Sequence, residues 1–125
     1  MLLLQGKATL STRDLLECFD WSEPHSSPAV GLLRTLLGTE GELDEPRRFL
    51  LLRWCTGRNT LPICGLERKV ALLRPDAAGA DMRAPEAHTC SHEIELPSYS
   101  SIAVLREQLS RALLEFEANP GFQQQ

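Results

Sequence analysis

Apolar residues recur along this chain with two different periods, and the change from one to the other predicts the order of its elements. Ser11, with Asp14 three residues on, is a capping pair for a short helix through Phe19 whose stripe is Leu15, Leu16 and Phe19. The run DWSEPHSSP then breaks the pattern with Pro24, Pro28 and three serines (Ser22, Ser26, Ser27), the composition of a linker. Ser27-Pro28 opens a second helix, a capping serine followed by proline at the first helical position. Its face is Val30, Leu33 and Leu37, with Leu32 and Leu36 beside it, and Gly38 ends it.

A third helix begins at Asp44 with Pro46 and closes at Thr56-Gly57. Phe49, Leu50, Leu51, Leu52 and Trp54 wrap most of its circumference, which predicts a largely buried helix. The period then falls to two. In LERKVALLR, Val70 and Leu72 fall on one face and Ala71 and Leu73 on the other. PDAAGADMRAP carries no periodicity and reads as a loop. In HEIELP, His92, Ile94 and Leu96 alternate with Glu93 and Glu95, a half-buried strand. Ser100 is the expected cap of a last helix, whose buried stripe is Leu105, Leu109, Ala112, Leu113 and Phe116, and Asn119-Pro120-Gly121 ends it. Helices before, between and after at least two strands imply a small α/β (α+β) domain, a sheet flanked by helices.

Composition narrows the function classes. The 125 residues are enough for one domain with a real core, and 42% hydrophobic with 24% charged residues is the balance of an ordinary globule. A net charge of -4 and an isoelectric point near 5.4 argue against a phosphate-binding surface, so nucleic acid is not an expected partner. The start, MLLLQGKATL, has only three consecutive leucines, too few for a leader or a spanning helix, and no membrane partner is expected.

Four cysteines (Cys18, Cys55, Cys64, Cys90) are irregularly spaced and read as free thiols of a reducing compartment, cytoplasmic or nuclear. A zinc site built from Cys55, Cys64, Cys90 and His92 lacks any C-x-x-C spacing, so no metal and no cofactor are expected.

The candidate chemistry centres on APEAHTCSHEIELPSYSS, residues 84–101. Cys90 stands between a loop and a strand, and in extended backbone His88 and His92 would project to its side and could stabilise a thiolate. The bland alternatives are a structural thiol, with His92 closing the edge of the core and His88 simply exposed. The residues alone leave both open.

The runs RRFLLLRWCTGRNTLP, APEAHTC and ELPSYSS, followed by a leucine-rich helix in this order and spacing, resemble the C-terminal lobe of HECT-type E3 ubiquitin ligases. The resemblance covers about residues 26 to 125, and LSTRDLLECF is similar to the end of the preceding lobe. It implies residues 1–20 as the end of an N-terminal lobe, 21–28 as a hinge, and 29–125 as the C-lobe. It implies Cys90 as the residue that accepts ubiquitin as a thioester from a conjugating enzyme (E2) and passes it to a substrate lysine. His88 is the candidate for thiolate stabilisation and Thr89 for orienting the loop.

By the same resemblance Pro85 matches a family proline, Leu96, Pro97, Tyr99 and Ser100 match the strand end and helix cap, and Thr56 and Gly57 match a structural helix exit. Phe122 matches an aromatic fourth from the C-terminus and implies docking of the tail during transfer. Implied partners are ubiquitin, the E2 through an N-terminal lobe outside these 125 residues, and substrate proteins, with the chain itself a monomer.

This sequence departs from the family pattern at Ala84, Cys64 and Ala103, and most visibly after the cysteine, where Ser91 and His92 replace an apolar residue and an asparagine. That pair supports an alternative, a non-catalytic ubiquitin- or partner-binding lobe. A cysteine hydrolase would need a cysteine–histidine–acid arrangement that the motifs do not supply. The further expectation is that Cys90 is exposed and the other three cysteines are buried.

Overall fold

A computed structural model describes residues 8–22, 28–75 and 78–118. Four helices, α1 (Thr12–Leu16), α2 (Ala29–Gly38), α3 (Glu45–Thr56) and α4 (Ile102–Ala118), enclose a small sheet of β1 (Ala71–Leu73), β2 (Glu86–His88) and β3 (Glu93–Glu95). A 3-10 turn spans Ala80–Met82. The architecture is the expected α+β arrangement of a small sheet flanked by helices, and no described helix is long and apolar enough to cross a membrane.

Local signals set the helix ends. The Ser11 hydroxyl accepts from the Asp14 amide while the Asp14 carboxylate accepts from the Ser11 amide, a complete capping box. Asp44 accepts from the Arg47 amide at the start of α3, and Gly57, at φ 77°, closes it in the left-handed conformation that favours glycine. At α4 the cap is Ser101, one residue beyond the expected Ser100: Ser101 Oγ accepts from the Val104 amide. Ser100 instead faces Asp81, whose carboxylate accepts from both its amide and its hydroxyl and is held below the usual carboxylate range by those bonds. Of α3 only the C-terminal half holds buried residues, Leu51, Leu52, Trp54, Cys55 and Thr56, while Pro46 and Arg47 leave the first turn at the surface.

The strand order is β1-β3-β2, with β3 parallel to β1 and antiparallel to β2. Leu72, Ile94 and Val70 turn into the core, while Leu73, Glu93 and Glu95 face outward, as the alternation predicts. β2 is an addition: the loop reading covers PDAAGADMRAP and leaves Glu86–His88 unassigned, yet these residues pair along the whole of β3.

The core does not divide at residues 21–28. Leu10, Leu15, Cys18 and Phe19 belong to the same buried cluster as Leu52, Val70, Ile94, Leu105 and Phe116. Backbone bonds reinforce it: Val70 N donates to Cys18 O at 2.8 Å, and Asp20 N donates to Val70 O at 2.9 Å. Arg48 Nε reaches Leu10 O at 2.6 Å. Trp21 stacks near Phe19, with ring centroids 5.5 Å apart, beneath the Arg34 guanidinium. Pro24, Ser26 and Ser27 lie outside the described residues, as does Phe122.

Candidate functional site

β2 and β3 are joined by four residues, Thr89 to His92, and the ladder closes at His88 opposite Glu93. Two overlapping turns shape the connection: Ser91 N donates to His88 O at 3.3 Å, and His92 N donates to Thr89 O at 3.4 Å. Cys90 sits in this turn and is exposed. The extended backbone expected around it is therefore wrong, because hairpin closure curls residues 89–92 and cancels the two-residue alternation. His92 is not a strand residue closing the core edge. It has φ 54° and is the non-glycine residue in left-handed conformation among those described.

Thr89 is half-buried against the exit of α3, and a Cβ on Gly57 would lie 3.8 Å from Thr89 Cβ. This is why the Thr56-Gly57 exit and the Thr89-Cys90 pair, distant in sequence, belong to one site. The Thr56 hydroxyl donates to Leu52 O and accepts from the Arg58 amide, which fixes that exit. Pro85, Leu96, Pro97 and Tyr99 are buried, so these matching positions support the hairpin rather than touch a partner. Tyr99 donates to Arg83 O at 2.6 Å, and burial pushes its phenol up.

His88 lies on the open face of the sheet. Its Nε2 donates to Glu95 Oε2 at 2.7 Å, so the described bond of the ring runs to β3 rather than to the Cys90 thiol. Glu95, which reads as a solvated strand residue, is thus the partner of His88; sequence offered no signal because β2 itself was hidden. Glu86, directly opposite Glu95, completes a group whose donor atoms lie within 4.8 Å of one another. Such a set could face a divalent cation, but strand register alone brings these exposed carboxylates together.

The missed residue of most consequence is Arg68. Its Nη2 donates to Cys90 O at 3.1 Å, and its own carbonyl accepts from His92 Nδ1 at 2.8 Å. A cation three residues before a strand is common, so no sequence signal singled it out.

Cys18 and Cys55 are buried as expected; burial pushes the Cys55 thiol up, with Cys18 adding to the effect. Cys64 is a correction. It is exposed, because Gly65 N donates to Pro62 O in a turn that carries Ile63 and Cys64 outward. Labelling the folded chain with a small thiol reagent should therefore modify Cys90 and Cys64 quickly, and Cys18 and Cys55 only on unfolding. Rapid modification of Cys55, read by peptide mass, would contradict this core.

Clefts of about 350 and 430 Å³ exist between α3 and its neighbours, but Cys90 lines neither. The thiol stands on a projecting turn, a geometry open to an electrophile carried on another macromolecule rather than to a small enclosed substrate.

A profile of the HECT-domain (ubiquitin-transferase) family matches residues 1–122. The human protein described as probable E3 ubiquitin-protein ligase HERC3 is 35% identical over 78 residues, 62% of this chain and 7% of that protein. The Caenorhabditis elegans E3 ubiquitin-protein ligase hecd-1 is 30% identical over 112 residues, covering 79% of this chain and 4% of its own length. A Dictyostelium discoideum bifunctional serine/threonine-protein kinase/NEDD4-like E3 ubiquitin-protein ligase is 29% identical over 72 residues, 58% of this chain and 4% of that protein. The chain thus spans less than a tenth of the length of these relatives. With the profile running through helices, sheet and hairpin alike, the chain belongs to the HECT-domain family of ubiquitin transferases.

Proposed function

We propose that this chain is the acyl-accepting lobe of a HECT-type E3 ubiquitin ligase and that Cys90 carries ubiquitin as a thioester. The observation that supports this most directly is an exposed thiol on a tied turn, against the Thr56-Gly57 helix exit, at the position the family motif marks. The Cys90 thiolate attacks the C-terminal carbonyl of ubiquitin held on an E2 cysteine. The new S–C bond forms as the old one breaks, and the E2 thiolate leaves. A substrate lysine amine then attacks the same carbonyl; the C–N bond forms, the Cys90 thiolate departs, and the amine's proton passes to solvent or a nearby base.

Thr89 packs the turn onto the helix exit. His88, held by Glu95, acts at the sheet edge beside the nucleophile turn, and its direct contact with the thiolate is not needed for this reading. The burial of Leu10, Leu15 and Phe19 supports reading α1 as part of the same lobe as Cys90. The E2, ubiquitin and substrate proteins are the proposed partners, in cytoplasm or nucleus.

A ubiquitin C-terminal alkyl thioester, offered to the chain in a Cys64→Ser background, tests the proposal without any E2. The expected product is one ubiquitin added in a bond that survives acid and is lost on thiol treatment. No adduct would favour the non-catalytic binding lobe that Ser91 and His92 suggest.

Phe122, which matches an aromatic of the resembled family, is proposed to anchor the tail for the second step. Phe122→Ala in the complete ligase should leave thioester formation intact and lower isopeptide formation by about tenfold, with the thermal midpoint of this chain unchanged. Equal loss of both steps, followed on gels with and without thiol, would remove that role.

A further inference from the structure

We infer that Arg68 and His92 form a reciprocal clasp that positions the Cys90 turn for acyl transfer; this rests on reading Cys90 as the acceptor. β2 and β3 are only three residues each, and the two turn bonds between them are long, at 3.3 and 3.4 Å. Within the tip, Ser91 Oγ donates to Glu93 Oε1 at 2.9 Å and approaches His88 O at 3.5 Å, bonds that tie Ser91 but, among the described residues, leave the Cys90 carbonyl without a partner inside the hairpin. The rest of the hold comes from outside.

Three bonds join residues 68–71 to residues 90–92. Arg68 Nη2 donates to Cys90 O at 3.1 Å, His92 Nδ1 donates to Arg68 O at 2.8 Å, and Ala71 N donates to His92 O at 2.9 Å. The anchor is rigid, because the next residue but one after Arg68 is Val70, fully buried and bonded through its backbone to Cys18 and Asp20. The chain direction at Cys90, and with it the origin of the thiol side chain, is thus referred to the core rather than to the hairpin.

The left-handed backbone at His92 explains the residue type. Glycine enters that region freely, while asparagine, aspartate and histidine are the side-chain-bearing residues that populate it most. Histidine therefore keeps the turn, and its ring supplies the side-chain bond to Arg68 O. A strained residue at the foot of a reactive turn persists where surrounding bonds over-determine it, as they do here. Arg68 is exposed, so its role is geometric rather than a large share of folding stability.

The test compares Arg68→Ala, Arg68→Lys, His92→Val and His92→Asn, all in Cys64→Ser, by thioester exchange with the ubiquitin alkyl thioester. Arg68→Ala and His92→Val should slow exchange by about tenfold or more, since small misplacement of a nucleophile costs that much against a bulky donor. His92→Asn should keep most of the rate and Arg68→Lys should recover part of it. Alkylation of Cys90 by iodoacetamide should stay within about twofold throughout, because a small reagent approaches an exposed thiol from many directions.

Unchanged exchange in Arg68→Ala and His92→Val would overturn the clasp. So would His92→Asn as slow as His92→Val, or losses that track exposure of Cys18 and Cys55, which mark general loosening. Failure of the parent chain to exchange would count against the acceptor reading alone. In that case amide hydrogen exchange at Ser91 and His92 decides the clasp: it should quicken by about tenfold in Arg68→Ala and His92→Val, and unchanged protection would refute it.

Discussion

Cys90→Ser will lose the thiol-labile ubiquitin adduct while keeping the unfolding midpoint of the parent chain. Both halves follow from where Cys90 stands. It is exposed on the β2–β3 turn, and the described bond at this residue runs through its carbonyl to Arg68, so exchanging sulfur for oxygen removes no packing. A surface change of this kind stays within about 0.5 kcal/mol. The chemistry is less forgiving. Thiols ionise within reach of neutral pH and serine hydroxyls do not, so without an adjacent base the acceptance rate should fall on the order of a thousandfold. Any adduct that does form would be an oxygen ester resistant to thiol, which makes the two products separable on the same gel. Persistence of a thiol-labile adduct in Cys90→Ser, or its disappearance in Cys64→Ser alone, would transfer the acceptor role to Cys64.

Phe19→Ala should cost roughly 3–5 kcal/mol, the usual range for emptying a buried phenylalanine site. Phe19 is 1% exposed, packs near the Trp21 ring, and makes a parallel bridge to Val70 at the entrance to β1. Leu10 and Leu15 are fully buried in the same cluster. If residues 8–20 were an appendage from another lobe, their truncation would leave the rest of the fold untouched, and Phe19→Ala would change stability by under about 1 kcal/mol. Urea unfolding followed by tryptophan fluorescence distinguishes these outcomes. A single transition at lower urea with an unchanged slope is the expected result. Such a loss would also bear on the ligase reading, since it would make α1 part of the lobe that carries the nucleophile.

The helices were legible because their signals are local. Ser11 with Asp14, Asp44 before Pro46, and Gly57 each act within one turn of their own position, and the stripe from Leu105 to Phe116 needs only a period to be recognised. β1 and β3 were legible from alternation over a few residues. The motif around Cys90 was legible as a resemblance, and its marking of Gly57 together with Thr89 anticipated a contact that no local rule contains.

What escaped depends on pairing partners rather than on local pattern. Glu86, Ala87 and His88 have no apolar alternation, and they form a strand because β3 offers a ladder. Their place on that ladder gives Glu95 to His88. His92 looked like the first residue of a strand because alternation carries no information about where a hairpin must close, and closure put it at positive φ. A proline- and serine-rich stretch looked like a domain boundary because composition reports local solvation, whereas the burial of Leu10, Leu15 and Phe19 is a property of the surfaces of α2, α3 and β1 that meet them. The sequence by itself determined the helices, two strands, the family and the candidate nucleophile, all of which rest on periodicity, capping or motif within a short span. Tertiary structure alone decided which thiols reach solvent, which charges meet across the sheet, and that Arg68 bonds the turn of Cys90, because those outcomes depend on how turns and strands pair, across seven residues for His88 and Glu95 and 22 for Arg68 and Cys90.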